Sequence, residues 1–202
     1  MGNNIFDPNK QNDHVSSKIV AGLERISEVF KVLLWEKAKL VGLSPIQIQI
    51  LIFVAYHKEA LCNVSHLARE FNLTKPTISD AVRILDKKEL IIKDFSNVDQ
   101  RSYSIRISPT GEKIVQETED FANPLQNKLS SFNATEQKQL FQTLSKLIYQ
   151  LNRSGILTVQ RTCYGCTFYE KASNGDYCNL LKKDLLSSDI RLDCPEFQEQ
   201  SH

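Results

Sequence analysis

The chain has 202 residues, 41% hydrophobic and 24% charged, with a formal net charge of +1. This is ordinary for a globular protein with room for one large domain and a small appendage. No apolar run reaches the roughly 18–20 residues that span a bilayer, and the polar start MGNNIFDPNKQNDHVSSK lacks the apolar stretch of a secretory signal. A cytoplasmic, non-membrane protein is expected, and the near-zero charge gives no global sign of a nucleic-acid partner.

Residues 1–13, Asn-rich with an early Pro8, read as a disordered arm before a main domain over 14–155. From Val15, the residues Ile19, Leu23, Ile26, Phe30, Leu33 and Leu40 recur at steps of four and three, with Lys37 in the missing slot. That spacing predicts a long helix with one apolar stripe, ending near Gly42. Ser44-Pro45 then reads as an N-cap followed by proline in the first turn. The helix it opens, Ile46 to about His57, is apolar nearly all round and is expected in the middle of the domain. His57 near its end reads as a residue suited to a helix C-terminus rather than as a ligand.

Two shorter helices follow, over Asn63–Phe71 and Lys75–Leu85, separated by the tight break Asn72-Leu73-Thr74. In the second, Ile78, Val82 and Leu85 form the buried side. Lys75, Thr77, Ser79, Asp80 and Arg83 form the other, made of short hydroxyls and long cations without bulk. A helix–turn–helix needs that composition in the helix that enters a major groove. Leu90–Phe95 and Ser102–Ile107 alternate at period two around the polar centre 96–101, so a two-stranded wing is predicted. Between Asn63 and Ser108 eight Lys or Arg stand against six acids, a local +2. Ser108-Pro109-Thr110-Gly111 ends the second strand and starts further helix to Asn152, with breaks near Asn123-Pro124 and Asn133-Ala134 and a restart at Thr135. Leu140, Leu144, Leu147 and Leu151 continue the striped spacing. The two striped helices could pair antiparallel within the chain or across a two-fold axis, and the second arrangement gives the N-terminal helix a cover.

In order and spacing these elements, over about Val15 to Asn152, resemble the MarR family of bacterial winged-helix transcription regulators. The resemblance rests on Leu67-Ala68, on the segment TKPTISDAVRILDKKELI, on the wing tip Asp99-Gln100-Arg101, and on Ser108-Pro109-Thr110-Gly111. The chain departs from it at Glu89, where members usually carry Gly, and in having a single arginine beside the wing aspartate. The resemblance implies a mainly α fold, a winged helix–turn–helix with long N- and C-terminal dimerisation helices. It further implies a homodimer on a pseudo-palindromic operator in double-stranded DNA, usually repressing, with room for a small-molecule effector. Carried over by motif, Thr74, Lys75, Thr77, Ser79 and Arg83 would face the major groove. Arg101 would reach the minor groove, steadied by Asp99. The plainer reading makes these a solvated helix face and an ordinary hairpin turn.

The tail, 156–202, carries four of the five cysteines: Cys163 and Cys166 as a C-x-x-C knuckle, then Cys178 and Cys194. In a reducing compartment such a set reads as metal-binding rather than disulfide-bonded. Four-cysteine Zn²⁺ is the commoner assignment. A [4Fe–4S] cluster is the rival, favoured by the single knuckle, Cys194-Pro195 and the aromatics Tyr164, Phe168, Tyr169, Tyr177 and Phe197. Gly165 is expected to let knuckle N–H groups turn toward sulfur. The metal would be structural in a segment too short to build its own core, or redox- or metal-sensing. Cys62, outside the set, reads as a small buried apolar residue. A redox enzyme and a protein-contact winged helix are the competing classes, but no Gly-rich phosphate loop, H-E-x-x-H or triad supports an enzyme.

Overall fold

The computed structural model describes residues 5–11, 14–95, 103–172 and 175–200. It contains α1 (Val15–Val41), α2 (Pro45–Tyr56), α3 (Val64–Glu70), α4 (Lys75–Lys87), β1 (Ile91–Asp94), β2 (Ser104–Ile107), α5 (Pro109–Thr118), α6 (Asn123–Leu129) and α7 (Ala134–Arg153). A small antiparallel sheet follows, of β3 (Tyr169–Ala172), β4 (Gly175–Cys178) and β5 (Lys183–Leu185) in that order. The fold is mainly helical, with the winged helix–turn–helix in its centre.

Local chemistry sets the boundaries. Gly42 (φ +62°) closes α1 in the left-handed region, and Ser44 opens α2 with its N–H on Gln47 Oε1 at 2.9 Å. α2 supplies the centre of the core: Ile48, Ile50 and Leu51 are fully buried against Leu67, Ile78, Val82, Leu85 and Ile105. Asn63 caps α3 and Thr74 caps α4 through side-chain oxygens that accept from His66 N and Thr77 N. α4 ends in a Schellman turn, with Leu90 N on Leu85 O at 3.0 Å and Glu89 N on Asp86 O at 2.9 Å. Glu89 holds φ +58°, the strained conformation expected where glycine is missing.

The wing strands pair antiparallel, Ile91 with Ile107 and Asp94 with Ser104. Ile91 and Ile105 point into the core while Ile92 and Arg106 face outward. Ile105 N also donates to Cys62 O at 2.7 Å, tying the wing to the segment before α3. Cys62 is buried, and burial pushes its thiol up to about 11.

Two details differ from the sequence reading. The helix after the wing breaks at a 3-10 turn, Glu119–Ala122, and Asn123-Pro124 starts α6 instead of interrupting a helix. Asn133, not Thr135, caps α7, accepting from Thr135 N and Glu136 N while its own N–H reaches Glu136 Oε2 at 2.9 Å. The α1 stripe is left uncovered within this chain: Ile19, Leu23, Ile26, Phe30 and Leu40 are exposed, and Leu34 and Ala38 are the buried apolar contacts. Lys37 fills its slot with a purpose, its Nζ lying 2.6 Å from Asp120 Oδ1 and 3.2 Å from Glu117 O. α1 packs on α2, α5 and the 119–122 turn; no close pairing with α7 covers the stripe.

Among the described residues no single helix is long and apolar enough to cross a membrane; α1 and α2 together would pass on composition, but they meet at 89°.

Candidate nucleic-acid interface and cysteine cavity

α4 has two chemically opposite sides. Ile78, Ala81, Val82 and Leu85 are buried at helical spacing, which fixes the rotation of the helix. Lys75, Thr77, Ser79 and Arg83 are exposed on the remainder, with the cap Thr74 beside them. Thr74 Oγ1 and Thr77 Oγ1 lie 2.8 Å apart, and Arg83 pairs with Asp80 at 3.1 Å on a fully solvated surface, where such a pair is weak and leaves the guanidinium free to exchange partners. Asp99 and Arg101 lie outside the described residues. The base of the wing is braced: Arg106 bridges Glu59 Oε1 (3.0 Å) and Asp94 Oδ2 (2.9 Å), and Ser104 Oγ donates to Glu59 at 2.7 Å. Hydrogen bonds from Ser104 and Arg106 hold the Glu59 carboxyl below its ordinary range.

Two cavities flank this core. One, about 690 Å³, lies along α1 at Phe30, Leu34 and Trp35 and reaches Pro45, Gln49 and Phe121. The other, about 680 Å³, lies at the seam between α2–α3 and the tail, at His57, His66, Arg69, Asn152, Arg161 and Asp193.

The four tail cysteines line one small cavity of about 40 Å³, together with Phe168, Tyr169, Leu185 and Arg191. Burial raises the Cys163 thiol, and the other three sulfurs add to the rise. Among the described residues no three His, Cys, Asp or Glu groups stand ready to hold an ion, so the thiols frame this cavity without forming a closed shell. Four soft donors around one space nevertheless suit a thiolate-bound metal in kind. The expected knuckle N–H groups do not serve sulfur: Gly165 N and Cys166 N donate to Thr162 O and Cys163 O. The N–H that reaches Cys163 Sγ comes from Arg191, at 3.2 Å. Gly165 is there for close packing, since a Cβ would crowd the Gln160 side chain. Tyr164 bridges Tyr149 of α7 and Tyr169 of β3, at 6.0 and 5.5 Å between ring centroids.

The stretch from the end of α1 to just short of β2 carries a likeness to a known family. Residues 41–102 match the MarR family model. Solved MarR-like structures agree over a longer span. The crystal structure of an S. aureus MepR–DNA complex superposes with a TM-score of 0.56 at 25% identity, covering 64% of this chain and 94% of that one. S. aureus MepR in its DNA-binding conformation gives 0.58 at 22% identity, covering 66% and 98%. A MarR/EmrR family transcriptional regulator from Acinetobacter sp. ADP1 gives 0.57 at 20% identity, covering 69% and 99%. No curated protein matches the sequence. The Acinetobacter protein is named a transcriptional regulator and the two MepR structures are named as a DNA complex and a DNA-binding conformation; about a third of the present chain has no counterpart in them.

Residues that join the MarR-like core to the tail were missed from sequence. His57, read as a helix-end residue, stacks on Phe53 (3.7 Å, 6°) and places Nε2 2.8 Å from Asp193 Oδ2. Arg161 reaches both Glu70 and Asp193. No local spacing signals partners 136 and 91 residues apart.

Proposed function

We infer that the protein is a cytoplasmic DNA-binding transcription regulator of the MarR type. It acts as a homodimer on a pseudo-palindromic operator, in the repressing sense. The observation that carries this reading is the two-sided α4, wholly apolar toward the core and free of bulk outward, directly after a capped tight turn. A helix of that make can enter a major groove, with Thr74, Lys75, Thr77, Ser79 and Arg83 near phosphates and base edges and Asp99–Arg101 at the adjoining minor groove. The exposed α1 stripe supports the dimer, because a second copy would bury apolar side chains that this chain leaves in water. The cavity along α1 supports a small-molecule effector lodged near that interface. Substituting Arg101→Ala or Arg83→Ala and titrating a duplex from the gene's own upstream region tests the assignment. Affinity at fixed salt should fall by roughly 5- to 150-fold, about 1–3 kcal/mol. Unchanged affinity in both variants would refute it.

Cys163, Cys166, Cys178 and Cys194 would hold Zn²⁺, with a [4Fe–4S] cluster as the second candidate. When bound, either group supplies a crosslink joining the knuckle, β4 and the 194 loop, in a segment with little core of its own. The chain's own part is to bring four thiols to one cavity, to give Cys163 sulfur an N–H from Arg191, and to shield the space with Phe168, Tyr169 and Leu185. Metal analysis of anaerobically prepared protein, with its visible absorption, separates the two. Iron with charge-transfer bands assigns the cluster, and zinc in a colourless protein assigns Zn²⁺.

A further inference from the structure

The tail meets the helix–turn–helix core at several polar contacts, among them Thr158 Oγ1 on Arg69 O and Lys58 with Glu196, and the most buried of them is the guanidinium of Arg161. Arg161, with a side chain only 11% exposed, puts Nη1 and Nη2 on the Glu70 carboxylate at 2.8 and 2.9 Å, a two-pronged pair. Its Nε and Nη2 also reach Asp193 Oδ1 and Oδ2, and His57 Nε2 meets that same Oδ2 at 2.8 Å. Glu70 is the last residue of α3, the helix that positions α4; Asp193 is the neighbour in sequence of Cys194. The backbones agree with the side chains. Cys194 N donates to Arg161 O and Cys163 N to Arg191 O, both at 3.2 Å, so the 161–163 and 191–194 segments run side by side. Each of those segments carries one of the four thiols.

The geometry points to Arg161 as a relay by which the state of the four-thiol site sets the position of α3 and hence of the DNA-reading helix. This rests on reading the four cysteines as one site and α4 as the reading helix. While the thiols are held together, the two segments stay paired and Asp193 stays on Arg161. When the thiols come apart, Cys194 is released from Cys163, Asp193 is free to leave with it, and Arg161 keeps Glu70 as its one carboxylate and its place over the Phe53 ring. A buried guanidinium that loses one of two carboxylates must move toward water or draw in another partner. Either movement pulls on the end of α3. α3 packs on α4 and shares the Ala68 O to Leu73 N bond at the turn between them, so a displaced α3 re-aims the exposed face of α4.

Amide hydrogen exchange on the full chain tests this, using Cys163→Ser with Cys166→Ser, alone and combined with Glu70→Gln. Alone, the cysteine substitutions should speed exchange across Val64–Glu70 by about tenfold or more while the α2 amides keep their protection. On the Glu70→Gln background, where α3 already exchanges faster, they should add less than about twofold. Asp193→Asn breaks the relay from the tail side without touching α3, and it should blunt the response in the same way. An unchanged α3, or an equal response on every background, overturns the inference. Loss of α2 protection also overturns it, because the tail would then be part of the core rather than a lever on it. DNA plays no part in this readout: failure to bind duplex would sink the regulator reading alone, and an unresponsive α3 in a DNA-binding chain would sink the relay alone.

Discussion

Gly111 offers the sharpest stability test of the winged-helix packing. It sits in the first turn of α5, where α5 crosses the start of β1. A Cβ there would collide with the Leu90 carbonyl oxygen and stand 2.7 Å from Ile107 Cδ1 and 3.0 Å from Leu90 C. Two of those three atoms are backbone, in the stretch that closes α4 and opens β1, so no side-chain rotation relieves the clash. Gly111 N also donates to the Ser108 cap at 2.9 Å, and shifting α5 outward lengthens that bond. Overpacking of this kind costs about 3 kcal/mol, the upper end of the usual range, because the obstructing atoms cannot yield. For a chain of this size Gly111→Ala should lower Tm by roughly 6–12 °C. Gly22→Ala is the control: it lies within α1 with nothing inside 4 Å of the added methyl, so the helix gains about 0.5–1 kcal/mol. Urea unfolding of both variants should give midpoint shifts of opposite sign with unchanged m. A Gly111→Ala protein within about 0.5 kcal/mol of the parent would refute the α5–β1 packing.

Glu89→Gly should stabilise the chain by about 1 kcal/mol in the same assay, since glycine relieves the left-handed strain at φ +58°. Cys62, its thiol pushed up to about 11 by burial, should react with a disulfide reagent at pH 8 at least about 100-fold more slowly in the native than in the unfolded protein. Glu59 gives a pH signature. Its folded carboxyl lies below the ordinary range, so its contribution is present above that range and is lost as pH falls through the lower folded value. Protection of the β2 amides, relative to their intrinsic exchange at the same pH, should therefore fall below about pH 4, and Glu59→Gln should remove that step.

The helix–turn–helix was legible because its signals are local. Thr74 and Pro76 mark the start of α4, and Ile78, Val82 and Leu85 repeat at the helical period, so burial and exposure follow from position alone. The missing glycine at 89 was legible too, and the chain adopts the strained turn with glutamate. The α1 stripe was legible as a helix with one apolar face, while spacing alone cannot distinguish a face covered within the chain from one covered by a second copy. Lys37 in that stripe looked like a gap and is an anchor to Asp120. The tail resisted reading. Its three short strands lack a long alternating run, and Arg191 serves Cys163 through backbone geometry that no motif encodes. The Glu70–Arg161–Asp193 contacts join distant segments through charged side chains, and charged residues are too common for such partners to stand out.

Salt dependence of duplex binding bears most directly on the proposal that two copies of α4 and the wing read DNA. With Lys75, Arg83 and Arg101 from each of two protomers near phosphates, log K should fall linearly against log salt with a slope of about −5. A slope near zero, or no binding to duplex by the intact chain, would contradict it.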